Sequence, residues 1–452
     1  MQTALLQKYD IPAPRYTSYP TVPHWASPPP TEAQWLDAAR SALAENDEIS
    51  LYLHLPFCEN LCTYCACNKR ITKNHEVEQP YLESLLTEWR IYQKALGRPV
   101  RIKTLHLGGG TPTFFSPENL AYLLSQILSE TEQAQRPEFS FEAHPSNTTR
   151  EHLETLYGLG FQRISIGVQD FDNDILRLIN RRQTAAQVKE VTTAARDIGY
   201  ESINYDLIFG LPRQTPRHIV KTLKEVKNLR PDRIAFYSYA HVPWKSKSQR
   251  AYSEADLPTG SEKRKLYELG KRLLEKLDYH EVGMDHFALQ SDELYRAART
   301  GKLHRNFMGY TDRYTRLMIG LGASSISDSW TAFVQNEKGV EAYQASLAAG
   351  KLPIIKGHLL SETDKLLRNH ILNLSCRYVT TAGTRESQHP AWQRSLKRLA
   401  PLVKDGLVRI QDYRTVIVTD RGRPFIRIIC MAFDDYIEQR PNLAQPQFSQ
   451  AV

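Results

Sequence analysis

Six short β-rich runs, each followed by a polar or glycine loop and then a helical stretch, predict an α/β fold of parallel βαβ units. The runs are SLYLHLPF (50–57), RIKTLHL (101–107), EFSFEAH (138–144), RISIGVQ (163–169), SINYDLIF (202–209) and RIAFYSYA (233–240). The helices between them have readable starts: Ser116 before Pro117 and Thr215 before Pro216 both set a capping residue ahead of a proline in the first turn. Six units of this length suit a barrel or partial barrel, and the pattern alone also admits a doubly wound sheet.

Unusual residues collect where the runs end. Four of the six cysteines follow the first run as Cys58–Cys67, CENLCTYCAC. Gly108–Thr113, GGGTPT, follows the second run, and Glu142 lies at the end of the third. Gln169 and Asp170 end the fourth, Asp206 lies near the end of the fifth, and Tyr239–Ala240–His241 close the sixth. Barrel enzymes build their sites at the C-terminal ends of the strands, so this distribution predicts a site on one face of the fold.

The flanking segments read differently. Pro12–Trp25 carries four prolines and suits neither helix nor central strand; composition favours a linker over an ordered arm. A helix starts near Thr31. Beyond residue 245 the alternation weakens into a helix (SEKRKLYELGKRLLEKL), YHEVGMDHFA (279–288), HRNFMGYT (304–311) and a glycine-rich turn in RLMIGLGASSIS (316–327). From about residue 360, two helices, two short strands and a closing helix (RPFIRIICMAFDDYIEQ) resemble a winged helix, expected here as a packing module because it carries no dense basic face. The tail, PNLAQPQFSQAV, reads as loose, and Cys376 and Cys430 as inert thiols.

The 452 residues suit a barrel-sized domain plus a smaller one, and the net charge of +8 fits an acidic small molecule, a nucleic acid or simply a basic surface. No apolar run reaches the length of a membrane span and no secretory signal is visible, so a cytoplasmic protein without disulfides is expected.

Four cysteines in ten residues, ending in C-x-C, suit paired zinc knuckles poorly and an iron–sulfur cube well. The C-x3-C-x2-C spacing resembles the radical S-adenosylmethionine superfamily, and GGGTP resembles that superfamily's segment for the cofactor's amino group. Further stretches narrow the likeness: PRYTSYPT, HLPFCENLCTYCACNK, LHLGGGTPT, GVQDF with INRRQ, NYDLIFGLPRQT, YAHVP, GMDHFA and LHRNFMGYT run in order. Together they resemble the oxygen-independent coproporphyrinogen III oxidase family over nearly the whole chain.

The resemblance implies a partial (β/α)6 barrel of radical S-adenosylmethionine type with an N-terminal arm and a mainly helical, winged-helix-like C-terminal domain. The expected divisions are an arm and helix (1–48) covering substrate, the barrel (49–245), its extension (246–358) and the C-terminal domain (359–452). It implies a [4Fe–4S] cluster on Cys58, Cys62 and Cys65. It implies a first S-adenosylmethionine site at Tyr52, Gly109, Glu142 and Ile326, and a second at Tyr64, Gly110, Thr111, Gln169, Arg181, Asp206 and Ala240. Arg181 is expected to fork onto a carboxylate. Arg15 and Tyr16 become candidates for the tetrapyrrole's propionates and ring faces, with His304 and Arg305 as weaker ones. Cys67 is left over, a catalytic candidate of unassigned chemistry.

The implied reaction is oxidative decarboxylation of two propionates of coproporphyrinogen III to vinyls in porphyrin biosynthesis, fed by a low-potential electron donor. A monomer is expected, with neither nucleic acid nor membrane as partner. Three rivals compete with this reading: the haem-chaperone branch, which lacks the fourth cysteine and the PRYTSYP segment; a radical enzyme acting on RNA, which would want a basic, aromatic surface on the C-terminal module; and a structural zinc protein.

Overall fold

The computed structural model describes residues 2–244, 246–437 and 448–450. The chain enters through helix α1 (Gln2–Tyr9), the proline-rich arm and α2 (Glu32–Glu45). The start of α2 is a capping box, in which the Thr31 hydroxyl accepts from the Gln34 N–H and the Gln34 side chain accepts from the Thr31 N–H. All six runs named above are strands, alternating with helices: β1 (Glu48–Leu55), β2 (Phe57–Cys58), β3 (Arg70–Ile71), α3 (Glu78–Leu96), β4 (Arg101–Gly109), α4 (Pro117–Ser129), β5 (Glu132–Ala143) and α5 (Arg150–Gly158). Then come β6 (Phe161–Gln169), α6 (Asn173–Leu178), α7 (Ala185–Ile198), β7 (Ser202–Phe209), α8 (Pro216–Leu229) and β8 (Arg233–Ser238).

Strands β1, β4, β5, β6, β7 and β8 lie side by side in chain order and pair in parallel. Right-handed crossovers between strands in unbroken order carry their helices to one face. A doubly wound sheet reverses its order midway, so that alternative is excluded. Period-two alternation then assigns the two faces. Leu51, Leu53, Leu55, Leu105, Leu107, Phe139, Phe141, Ile164 and Ile166 are buried in one large core with Leu82, Leu85 and Trp89 of α3. The opposite face is polar: Thr104 donates to Ser50 at 2.8 Å, His106 and Ser140 share a bond of 2.8 Å, and Asn204 donates to Ser165 at 2.8 Å.

The extension comprises α9 (Gly260–Glu275), β9 (His280–Gly283), β10 (His286–Ala288), α10 (Glu293–Arg299), β11 (His304–Asn306), β12 (Gly309–Thr311), β13 (Leu317–Leu321), β14 (Ile326–Asp328), β15 (Ala332–Asn336), α11 (Val340–Ala348) and β16 (Ile354–Leu359). It widens the sheet to twelve strands, with β13 parallel beside β1 and β10 antiparallel beside β8. The stretch expected to be one glycine-rich turn is therefore a turn between two strands. Glycine hides the first of them: Gly320 sits mid-strand because a Cβ there would meet the Ile326 carbonyl oxygen at 2.5 Å.

The C-terminal module holds α12 (Glu362–Arg377), β17 (Val379–Thr381), α13 (Thr384–Ser387), α14 (Pro390–Lys404), β18 (Val408–Gln411), β19 (Thr415–Val418) and α15 (Ile426–Met431). The two expected helices, two strands and closing helix are present, and β17 and α13, which the sequence reading lacked, stand between the two helices, so that the small sheet has three strands in the order β17–β19–β18. The closing helix is shorter than expected: i→i−3 bonds from Ala432, Phe433 and Asp434 unwind it after Met431. The arm is no linker. Leu5, Tyr9, Tyr16 and Tyr19 share a second core with Leu367, Ile371, Trp392, Ile429 and Phe433. Nor is the tail loose throughout, since Pro12 bridges Gln450 and the Ala13 N–H donates to the Ser449 carbonyl at 3.1 Å. Residues 441–447, 451 and 452 of the tail lie outside the described residues.

Candidate cofactor and active site

The cysteine loop leaves β1 at the polar face and is closed at its base by the β2–β3 pair, with the Thr72 N–H donating to the Cys58 carbonyl at 3.0 Å. Its far side is tied to the segment after α6: the Thr63 N–H donates to the Ile179 carbonyl at 2.9 Å and Asn180 to the Leu61 carbonyl at 2.7 Å. Cys58 and Cys62 are buried, Cys65 is half-buried and Cys67 is exposed. Burial pushes the Cys58 thiol up to about 11, while a hydrogen bond from Cys67 holds Cys65 low. No three of the loop's thiols lie within 4.8 Å of one another among the described residues. A single tetrahedral zinc, with Zn–S bonds of about 2.3 Å, needs its sulfurs about 4 Å apart. Three thiols on one short loop suit a multi-iron cube, whose thiolates sit on separate metals.

The glycine triplet locks β4 against this loop. The Gly110 N–H donates to the Leu55 carbonyl at 2.8 Å and the Thr111 N–H to the Phe57 carbonyl at 2.9 Å. A Cβ on Gly110 would stand 2.5 Å from the Pro56 oxygen, and one on Gly109, at φ +119°, 2.8 Å from the His54 ring. The Thr111 hydroxyl in turn lies 3.3 Å from Cys58 Sγ.

Beside the loop opens a cavity of about 400 Å³ lined by Tyr52, Gly109, Glu142 and Ile326, with Cys67 at its edge. All four residues assigned to the first cofactor site thus meet. Glu142 accepts from the Gly109 N–H at 3.3 Å and lies 3.6 Å from His106 Nε2. The Tyr52 ring stacks on His106, and its hydroxyl bonds His54 Nδ1 at 3.0 Å. The reading of the sequence missed His54, Asn68, His106, Phe307, Met308, Met318, Ser324 and Ser325, which complete the lining. A signal existed for the two histidines, which alternate with Tyr52 and Gly108 on one strand face. None existed for Phe307 and Met308, at the tip of the β11–β12 hairpin.

The second set gathers across β4–β8 in closer packing. Arg181 donates to Gln183 at 2.8 Å, to the Gly167 carbonyl and to Cys62 Sγ at 3.7 Å. Asp206 accepts from Ser165 at 3.1 Å and Asn204 at 2.9 Å, and burial, aided by the Glu142 charge, pushes it up to about 7. Gln169 is buried with φ +66°. Tyr64 packs against Ile175, Leu176 and Tyr239. Gln249, unremarked in the sequence and itself buried, links the carbonyls of Tyr64 (2.9 Å) and Ala240 (3.1 Å).

The model of the radical S-adenosylmethionine superfamily matches residues 52–226. The chain is 38% identical to the oxygen-independent coproporphyrinogen III oxidase of Pseudomonas aeruginosa, covering 99% of this chain and 98% of the relative. It is 37% identical to that of Escherichia coli over the same shares. The solved E. coli coproporphyrinogen III oxidase, described as a radical S-adenosylmethionine enzyme, superposes with a TM-score of 0.89 at 36% identity, over 96% of this chain and 98% of that one. The chain belongs to the oxygen-independent coproporphyrinogen III oxidase family. Its superfamily works with a [4Fe–4S] cluster and S-adenosylmethionine, and the thiol loop and adjoining cavity fit both.

Within this family's fold the arm's two candidates part company. Tyr16, at φ +48°, turns away from the barrel: its buried hydroxyl donates to Asp434 at 2.9 Å. The polar end of Tyr16 is thus taken up inside the second core. Arg15 points to the barrel, donating to Asp285 at 3.2 Å and to the Ser238 carbonyl at 3.4 Å, with its guanidinium 6.0 Å from the Tyr237 ring centre. It lines a separate cavity of about 360 Å³ between β8, α9 and the C-terminal module. His304 and Arg305 are a packed pair. Burial takes the His304 imidazole down to about 3 against Tyr314, and Arg305 lies on the Tyr310 ring. The residues of that segment that reach the first cavity come two or three positions later. His144 caps its own turn, taking a bond from the Ser146 N–H at 3.2 Å, and leaves Glu142 alone.

Proposed function

We propose that the protein carries out anaerobic oxidative decarboxylation of two propionates of coproporphyrinogen III, giving the two vinyls of protoporphyrinogen IX. The supporting observation is the full-length match to named oxidases combined with the meeting of Tyr52, Gly109, Glu142 and Ile326 in one cavity beside the cysteine loop. When bound, the reduced cluster and S-adenosylmethionine supply a 5′-deoxyadenosyl radical that takes a hydrogen from the propionate carbon next to the pyrrole, after which CO2 and one electron leave.

The chain's own residues bind, orient and exclude water. Cys58, Cys62 and Cys65 hold the cluster, and the β2–β3 pair fixes their loop. Glu142, steadied by the Gly109 N–H, accepts from the amino group of the first S-adenosylmethionine, and the Ile326 segment closes the opposite wall. Gly110, Thr111, Gln169, Arg181, Asp206, Tyr64 and Ala240 form the second S-adenosylmethionine site. Arg15 offers its charge to a propionate from the arm. A low-potential carrier delivers the electron, and the protein acts as a cytoplasmic monomer; no helix among the described residues is long and apolar enough to cross a membrane.

The test is an anaerobic incubation of reconstituted, reduced protein with S-adenosylmethionine and coproporphyrinogen III. Vinyl-bearing product together with 5′-deoxyadenosine is expected. An intact cluster that yields neither would end this reading.

A further inference from the structure

Helix α3 governs the first cofactor cavity without lining it. Its Glu88 is wholly buried and receives three hydrogen bonds. Asn336 Nδ2 donates to one carboxylate oxygen at 2.6 Å; the Gly322 N–H at 2.8 Å and the Tyr343 hydroxyl at 2.6 Å donate to the other. Among the described residues no cation pairs with it, and burial pushes the carboxyl up to about 7. Seven residues earlier on the same helix face, the Tyr81 hydroxyl donates to the His54 carbonyl at 2.8 Å and accepts from the Ala323 N–H at 2.9 Å.

These bonds converge on the loop between β13 and β14, whose Ser324, Ser325 and Ile326 form one wall of the cavity. The loop is tightly specified. Gly322 has φ +101°, and a Cβ on it would meet the His54 oxygen at 2.6 Å and the Tyr81 hydroxyl at 2.8 Å. Asn336 Nδ2 also reaches the Gly322 carbonyl and Ser325 Oγ, both at 3.0 Å. His54, hung from Tyr81 through its carbonyl, bridges Tyr52 and the Asn68 carbonyl on the opposite wall. One helix therefore sets the spacing of both walls, and Glu88 is the contact that fixes the Ile326 side.

We propose that Glu88 is a positioning residue for S-adenosylmethionine in the first site, holding the 322–326 segment where it meets the cofactor. The proposal rests on the assignment of the Tyr52–Ile326 cavity to that cofactor. The donor pattern asks for an acceptor at both oxygens, which a carboxyl group offers and an amide does not. Each of its oxygens faces one fixed donor: the Gly322 N–H can only donate, and turning the Asn336 amide would break its bonds to Gly322 and Ser325. In Glu88→Gln the new NH2 meets a fixed donor in either orientation, so the loop must shift.

The experiment measures equilibrium binding of labelled S-adenosylmethionine to cluster-reconstituted protein. Glu88→Gln is expected to weaken binding about 10- to 100-fold, as for a buried donor left without its acceptor, while the cluster absorption stays unchanged. Tyr343→Phe, which removes one donor and leaves both fixed ones satisfied, is expected to weaken binding only about 3-fold. A merely structural role would lower the yield of folded protein and leave the affinity of the folded fraction as it was; wild-type affinity in folded Glu88→Gln overturns the proposal. Should Glu88→Gln fail to fold, Tyr343→Phe decides, and unchanged affinity there overturns it equally. If Glu142→Gln also binds like wild type, the assignment of the cavity has failed, a result separate from the failure of Glu88 alone.

Discussion

The two regions proposed to hold cofactor at the mouth of this barrel are built on different plans. Around Tyr52 the face is hollow: Glu142, the edge of the glycine triplet and the Ile326 segment border a cavity of about 400 Å³. Around Asp206 the polar groups already hold one another. Arg181 is spread over Gln183, Gly167 and Cys62, Asp206 over Ser165 and Asn204, and Gln249 pins Tyr64 to Ala240. Under the proposed assignment the first region offers its ligand a ready cavity, whereas in the second a ligand would take over bonds that protein groups make. Occupying the second region therefore costs more reorganisation, and its residues should tolerate an empty site better.

The largest expected effect bears on what both regions share. Cys62, a proposed cluster thiol, accepts the Arg181 bond at 3.7 Å, so Cys62→Ala should abolish the iron–sulfur absorption and all 5′-deoxyadenosine formation. A variant that keeps both would remove Cys62 from the ligand set. Next come two losses confined to product. Cys67→Ser and Arg15→Ala should each retain the [4Fe–4S] spectrum yet lose decarboxylation. Loss of the cluster in the first would make Cys67 a ligand, and unchanged turnover in the second would take the arm out of the site.

The contrast between the regions is sharpest in a pair of carboxylate variants. Glu142→Gln should weaken S-adenosylmethionine binding about 10-fold or more, since a charged acceptor facing the cavity is lost. Asp206→Asn should leave that affinity within about 2-fold and lower product formation instead. Equal losses of affinity would show that the two regions act as one site.

Much of this contrast is legible in the sequence, because the carriers of chemistry sit at strand ends, where period-two alternation and chain order suffice to bring them together. Six strands, the thiol loop and the glycine triplet follow from local pattern, whereas the grouping of Tyr52 with Gly109, Glu142 and Ile326 follows only from the resemblance to the family. What escapes depends on distant partners. Tyr16 looks like a ligand for substrate, but a left-handed backbone and a buried Asp434, 418 residues away, claim its hydroxyl. The β13 strand is masked by Gly320, whose reason is a neighbouring carbonyl. Glu88 reads in sequence as one more acid of an amphipathic helix, and only tertiary packing sets three donors around it.

The smallest effect concerns stability and pH. Glu88 and Asp434 are both buried, and burial raises the first from an ordinary 4.5 to about 7 and the second from 3.8 to about 6. The folded protein thus holds these protons more tightly than the unfolded chain does. The stability they contribute is complete below about pH 4 and is lost as pH rises through 6 and 7. At about 1.4 kcal/mol for each tenfold gain in proton affinity, Glu88 accounts for at most roughly 3 to 4 kcal/mol of that decline. The melting temperature should accordingly fall between pH 5.5 and 8, and Glu88→Gln should flatten the slope whatever it does to the absolute value, because a glutamine has no proton to lose. The slope does not separate the regions on its own, since Asp206 too is raised to about 7. The separation comes from adding S-adenosylmethionine. If the first region fills readily, the ligand should steady the 322–326 segment and change the part of the slope that Glu88→Gln removes.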